Sequence, residues 1–140
     1  MDGLRIERLA PEQHGLLQRF YRAQRSGMRV RDAGQVWVAR DAVLRAGLCL
    51  RPIEQGHWLT GLLVAAEHRR QGIAGRLLAG VRNALSGPIW LFCDPALAAF
   101  YQRHGFSPCS SLPAALDSRL ARYRRSTPLL ALCSEARPAC

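Results

Sequence analysis

Hydrophobic and polar positions change period several times along the chain, and each change marks an element. Leu4 and Ile6 alternate with their neighbours over 4–9, the pattern of a half-buried strand. Pro11 then suits a first helical position with Glu12 in the opening turn, and Leu16, Leu17, Phe20 and Tyr21 share one face of a helix expected to end near Gly27. β-rich stretches follow at 35–40 and 43–51, joined by a tight hairpin at Asp41-Ala42, and Pro52 to Gly56 makes the next turn. From His57 to about Ala65 the chain is almost continuously apolar (Leu59, Leu62, Leu63, Val64), as in a central strand covered on both faces.

The clearest helix spans Gly72 to Leu85, with Ile73, Leu77, Leu78, Val81 and Leu85 on one face. Gly75 and Gly80 each cost that helix about 1 kcal/mol relative to alanine, so each needs a reason. Pro88 to Cys93 reads as a buried strand, and Asp94-Pro95 as a cap and first position of a helix that Gly105 closes. Phe106 to Ser110 is a short strand candidate. After Pro113 the spacing of Leu112, Leu116, Leu120 and Tyr123 gives an amphipathic helix, and Leu129 to Ser134 returns as an edge strand. The summed order β-α-β-β-β-α-β-α-β-α-β is a mixed sheet with helical crossovers in its second half, an α/β (α+β) sandwich.

A length of 140 residues fits a single domain, 1–140, with one core. No apolar run approaches the roughly 18–20 residues that span a bilayer, and residues 1–20 carry no export signal. A soluble, cytoplasmic protein that binds no membrane is expected. All 20 basic residues are arginine, and the formal net charge is +10. Arginine forks match phosphate oxygens, so a polyphosphate ligand or a nucleic acid is one explanation. A coding bias against lysine with a solvated surface is the other, since the arginines run from Arg5 to Arg137 without a dominant block.

The five cysteines (49, 93, 109, 133 and 140) contain no Cys-x-x-Cys pair, which argues against a zinc site or a disulfide framework. Cys49 and Cys93 sit in apolar runs as small core residues. The histidines at 14, 57, 68 and 104 lack metal-ligand spacing, so no metal is expected.

Chemistry concentrates in Val64 to Leu78: a buried strand, a turn rich in arginine and glycine, then a helix. A helix start offers N–H groups without internal partners and about half a positive charge, which suits an anion. Gly72, Ala74 and Gly75 would let a diphosphate approach that backbone, and Arg69 and Arg70 add positive charge. The stretch is neither a Walker A sequence nor the dinucleotide fingerprint.

At these residues the chain resembles the GCN5-related N-acetyltransferases (GNAT). Their Arg/Gln-x-x-Gly-x-Gly/Ala segment after a strand is matched by Arg69-Arg-Gln-Gly72-Ile-Ala74. Their later strand, helix and Tyr-x-x-x-Gly-Phe ending are matched by Trp90 to Asp94, Ala98 to Tyr101 and Tyr101 to Phe106. The matches cover roughly 58–106. The resemblance implies acetyl-CoA as cosubstrate, a primary amine as acceptor, and an N-acetyltransferase fold. It implies that the backbone of Leu62, Leu63 and Val64 holds the acyl carbonyl and pantetheine arm, with the strand from Pro88 splaying away to admit them. Amides from Arg69, Arg70, Gln71, Gly72, Ala74 and Gly75 would bind the pyrophosphate. Asp94 stands where the family commonly has Asn, so a helix cap competes with a coenzyme contact there. Tyr101 occupies the place of the tyrosine that meets the coenzyme sulfur.

Within that frame the Val64 N–H is the expected oxyanion donor. Tyr101 would stabilise the departing thiolate by a hydrogen bond, because full proton transfer from a phenol of pKa about 10 to a thiolate of about 8.5 is uphill by roughly 2 kcal/mol. Glu54 and His57, before and at the start of the motif strand, are the candidate bases for the amine. Glu67 and His68 are expected to face solvent. Two other readings compete. One is a non-catalytic acyl-CoA- or partner-binding module. The other is a nucleic-acid-binding protein using Arg119, Arg122, Arg124 and Arg125, including acetylation of an RNA-borne amine.

Overall fold

The computed structural model describes residues 3–31 and 34–135, so Cys140 and Arg137 lie outside the described residues. The strands are β1 (Arg5–Leu9), β2 (Gln35–Arg40), β3 (Leu44–Ile53), β4 (Gly56–Val64), β5 (Ile89–Cys93), β6 (Ser107–Pro108) and β7 (Leu130–Ser134). The helices are α1 (His14–Ala23), α2 (Ile73–Ala84), α3 (Ala98–Arg103) and α4 (Ala114–Tyr123). This is the element order expected from periodicity. The strands form a seven-stranded mixed sheet in the order β1-β2-β3-β4-β5-β7-β6. The chain divides into two compact units, 1–51 with 59–84, and 52–58 with 85–140.

In the first unit, β1 and β2 pair antiparallel from Arg5↔Arg40 to Leu9↔Val36, and β2 pairs antiparallel with β3. Alternation sorts the β2 side chains by face. Val36 and Val38 join Leu17, Phe20 and Tyr21 of α1, Cys49 of β3 and Ala65 in one buried cluster. Ile6 lies opposite Ala39 in the register, so it faces the other way, where it meets α2 at Gly80. The sheet of this unit therefore carries α1 on one face and α2 on the other. Close approach explains one of its glycines: a Cβ on Gly47 would stand 2.4 Å from Leu17 Cδ1.

Helix α1 stops at Ala23, four residues short of the expected Gly27. Gln24 caps it, Arg25 takes a left-handed φ of 57°, and the Ser26 N–H turns back to the Tyr21 carbonyl. Gln24, Arg25, Ser26 and Gly27 offer no apolar side chain that would reward another helical turn.

In the second unit, the first residues of β4 run parallel to β5 through two pairs, His57↔Ile89 and Trp58↔Trp90. Trp58, Trp90, Leu116 of α4 and Cys133 of β7 form its buried cluster. The last strand is not an edge strand. β7 pairs with β5 from Ile89↔Ser134 to Cys93↔Leu130 and with β6 on its other side, and Leu132, Cys133 and Ser134 are buried. The edge is β6, only two residues long, and Pro108 within it has no N–H to offer another strand.

Candidate functional site

The expected cover on both faces of β4 holds for Trp58 and Leu59, which are buried, and fails further along. Gly61, Leu62, Leu63 and Val64 are only half-buried, although three are large apolar residues in an interior strand. Near Val64 the backbone also turns its polar groups outward. Ala65 donates its N–H to the Arg45 carbonyl on β3 at 2.8 Å. Since N–H and C=O groups alternate sides along a strand, those of Val64 point away from β3. The Val64 carbonyl accordingly accepts from Arg69 Nε at 3.2 Å rather than from a strand.

Past β4 a 3-10 turn (Ala66–His68) leads through Arg69, Arg70 and Gln71 to Gly72. Arg70 (φ 64°) and Gly72 (φ 78°) both adopt left-handed backbone. A Cβ on Gly72 would meet nothing within 4 Å, so glycine is required there by conformation and the space above it is open. The first helical bond of α2 runs from Arg76 N–H to the Gly72 carbonyl at 3.1 Å. The amides of Ile73, Ala74 and Gly75 precede that bond and have no partner of the i−4 kind. Arg69, Arg70, Gln71 and Gly72 are exposed, and Ala74 and Gly75 are half-buried. One continuous stretch thus presents a half-open apolar strand end, an accessible helix start and two exposed arginines, an arrangement suited to a ligand with an apolar arm and a polyphosphate.

The stretch is anchored from neighbouring elements. His68 does not face solvent: it is half-buried and its Nε2 meets the Arg45 guanidinium, which also clamps Asp41 through Nε and NH2 at 3.0–3.2 Å. Hydrogen bonding from Arg45 and from the Val43 N–H holds the Asp41 carboxyl below its ordinary pKa. Glu67 is exposed, as expected. The Ala66 N–H is held by Gln24 Oε1 at 3.0 Å. Inside β4, Gly61 has a φ of 70°, and its carbonyl accepts from the buried Tyr21 hydroxyl at 2.6 Å. Tyr21, Arg45 and Gln24 were not legible as site-supporting residues in the sequence. The usable signal was Gly61, a glycine inside an apolar strand, which marks a bulge or a close approach.

The remaining candidates belong to the second unit. Tyr101 on α3 is buried, packed edge-on against Phe100 and Phe106. No hydrogen bond to its hydroxyl occurs among the described residues. Burial first, then the nearby Cys93 thiol, pushes its phenol up to about 12. Asp94 Oδ1 accepts from the Ala96 N–H at 2.8 Å, the geometry of a cap. Glu54 is exposed in the β3–β4 turn with a φ of 50°, and His57 donates its backbone N–H to the Pro88 carbonyl at 3.0 Å.

Among the arginines on and just after α4, Arg119 is half-buried and Arg122, Arg124 and Arg125 are exposed. Arg119 lies 4.8 Å over the Trp58 ring, Arg122 lies 6.0 Å over Tyr123, and Arg124 donates to the Leu129 carbonyl at 2.9 Å. Cys49 and Cys93 are buried, as small core residues should be. No helix among the described residues is long and apolar enough to cross a membrane.

The family model described as an acetyltransferase (GNAT) domain matches residues 32–108. No curated protein matches the chain. Solved structures of similar fold include N-acetylglutamate synthase from Neisseria gonorrhoeae complexed with coenzyme A and L-arginine, at TM-score 0.72 and 15% identity, covering 99% of this chain and 34% of that one. The chain thus spans about a third of the synthase. Tetrahymena GCN5 aligns at TM-score 0.70 and 13% identity over 97% of this chain and 98% of its own. The ribosomal-protein-S18-alanine N-acetyltransferase from Escherichia coli aligns at 0.65 and 12%, over 98% and 96%. At these identities the likeness establishes the fold.

Proposed function

The chain belongs to the GNAT acetyltransferases, and on that premise we propose that residues 1–140 form a single catalytic domain that transfers the acetyl group of acetyl-CoA to a free primary amine by direct attack. The observation that carries this reading is the half-open Leu62–Val64 end of an interior strand, continuous with an accessible helix start at Gly72. An apolar arm and a diphosphate have complementary places on that one stretch.

Acetyl-CoA supplies an activated acyl carbonyl and a thiolate leaving group. Within this reading the amides of Gly72, Ala74 and Gly75 bind the diphosphate with help from the helix dipole, and Arg70 and Gln71 line its approach. Arg69 also steadies the strand end through the Val64 carbonyl. The Val64 N–H, directed away from β3, polarises the acyl carbonyl. Tyr101 donates a hydrogen bond to the leaving sulfur without giving up its proton, since a phenol near 12 holds it too firmly. Asp94 caps the 3-10 turn Pro95–Leu97 that leads into α3 rather than serving the coenzyme.

In this reading neither Glu54 nor His57 takes the proton: an amine attacking at Val64 loses it to water, or arrives neutral. The acceptor is then an amine with an appreciable neutral fraction, from a small molecule or a peptide.

The test is an amine-library screen following free thiol release from acetyl-CoA, with product identified by mass. Thiol release matched by N-acetylated product is expected for at least one primary amine. Calorimetric binding of acetyl-CoA with no turnover across the library would make the protein a non-catalytic acyl-CoA-binding module instead.

A further inference from the structure

Tyr21 is fully buried on α1, and its hydroxyl does more than fill space. It donates to the Gly61 carbonyl at 2.6 Å and lies 3.7 Å from Cys49 Sγ. Gly61 is three residues before Val64 and the only described residue within β4 with a positive φ, at 70°. A Cβ at Gly61 would stand 2.5 Å from the Tyr21 hydroxyl oxygen, so the left-handed backbone and the hydroxyl occupy the place a side chain would take. A positive φ breaks the pleat and re-aims the residues that follow. Those residues are Leu62, Leu63 and Val64.

We propose that Tyr21 is a positioning residue for acyl transfer: by holding the Gly61 carbonyl it sets the direction of the Val64 N–H towards the thioester. The inference rests on the function proposed above. Burial, followed by the Cys49 thiol, pushes the Tyr21 phenol upward, so the hydroxyl stays protonated and remains a donor throughout the working pH range. The contact is also selective in what it controls. It fixes the strand end that would meet the acyl group, while the diphosphate cradle at Gly72 lies beyond a separately anchored 3-10 turn. Loss of the hydroxyl should therefore disturb the carbonyl's surroundings and spare the affinity that comes from the phosphates.

The experiment uses acetyl-CoA labelled with carbon-13 at the thioester carbonyl, with unlabelled coenzyme A as the control ligand. In the wild-type protein the bound carbonyl resonance should move downfield, the signature of a polarised carbonyl. In Tyr21→Phe that displacement should fall by about half or more, while coenzyme A affinity stays within about threefold and thermal unfolding remains cooperative. An unchanged carbonyl displacement in Tyr21→Phe overturns the inference. So does a parallel loss of carbonyl displacement and coenzyme A affinity, because that is general structural damage. If Tyr21→Phe does not fold, the same comparison is made with Gly61→Ala, whose Cβ displaces the hydroxyl, and the same outcomes decide. A wild-type protein that binds neither ligand overturns the functional reading and this inference with it, whereas normal wild-type binding with an unaltered variant overturns this inference alone.

Discussion

Gly80 of α2 lies directly over Ile6 of β1: a Cβ at Gly80 would stand 2.6 Å from Ile6 Cγ2. The glycine that weakens the helix by propensity lets the helix settle on the sheet. Gly80→Ala gains about 1 kcal/mol of helix propensity and loses roughly 1–3 kcal/mol to overpacking, because a β-branched neighbour has little rotamer freedom to yield. We expect net destabilisation by denaturant titration, and relief of it in an Ile6→Ala background. Equal stabilisation by Gly80→Ala in both backgrounds would show that the contact is not limiting.

Gly72 presents the opposite case. Its surroundings are open, so the constraint is a φ of 78°. Gly72→Val places a branched residue in left-handed backbone at a cost of about 1–2 kcal/mol and sets its side chain where phosphates would sit. Acetyl-CoA affinity should drop about tenfold or more with the fold intact. Gly72→Asn, which tolerates this backbone, should keep more of the stability. Calorimetry giving wild-type affinity for a folded Gly72→Val protein would remove the diphosphate from this turn.

Tyr101→Phe should lower kcat with little change in acetyl-CoA affinity. A hydrogen bond to a charged group contributes about 1.5–3 kcal/mol, so a loss of about 10–100-fold is expected rather than the larger loss of a full proton donor. The kcat profile should show no Tyr101 ionisation below about pH 11, since the phenol is pushed up to about 12. Unaltered turnover would leave Tyr101 a packing residue between Phe100 and Phe106.

Alkaline stability follows from the same burial. Tyr21 and Tyr101 both titrate higher in the folded protein than the ordinary phenol near 10. Above pH 10 the unfolded chain releases these protons while the folded chain keeps them, so the unfolded state binds fewer protons and stability falls with rising pH. Between pH 10 and 12 Tyr101 alone accounts for a loss on the order of 2 kcal/mol. Urea unfolding at a series of pH values, repeated with Tyr101→Phe, checks this: the variant should lose less stability across the window.

Without a base near Val64, kcat/KM should rise with pH and level at the pKa of the amine itself. For an α-amino acceptor that is about 8, and for a lysine-like acceptor about 10. Profiles for two such amines should differ by their own pKa values and be unaffected by Glu54→Gln or His57→Ala. A common profile abolished by either substitution would restore an enzymic base.

The order of elements, the helix start at Gly72 and the Asp94 cap were legible in the sequence because each depends on residues close together in the chain. Periodicity reports which face is buried, Pro95 and Asp94 specify a helix start locally, and Gly72 marks a backbone that other residues resist. Tertiary structure decided what depends on partners distant in sequence. The apolar run Leu129 to Ser134 reads the same at an edge as in an interior, and only pairing with both β5 and β6 put β7 inside the sheet. The run through Val64 reads as fully covered, whereas the fold leaves its last residues half-open. Gly80 reads only as a costly helix glycine and Gly61 draws no notice in an apolar run, yet one admits Ile6 and the other the Tyr21 hydroxyl. His68 looked solvated until Arg45, 23 residues earlier, reached it. Local sequence fixes backbone preference over a few residues, but burial and hydrogen-bond partnership are properties of which segments meet.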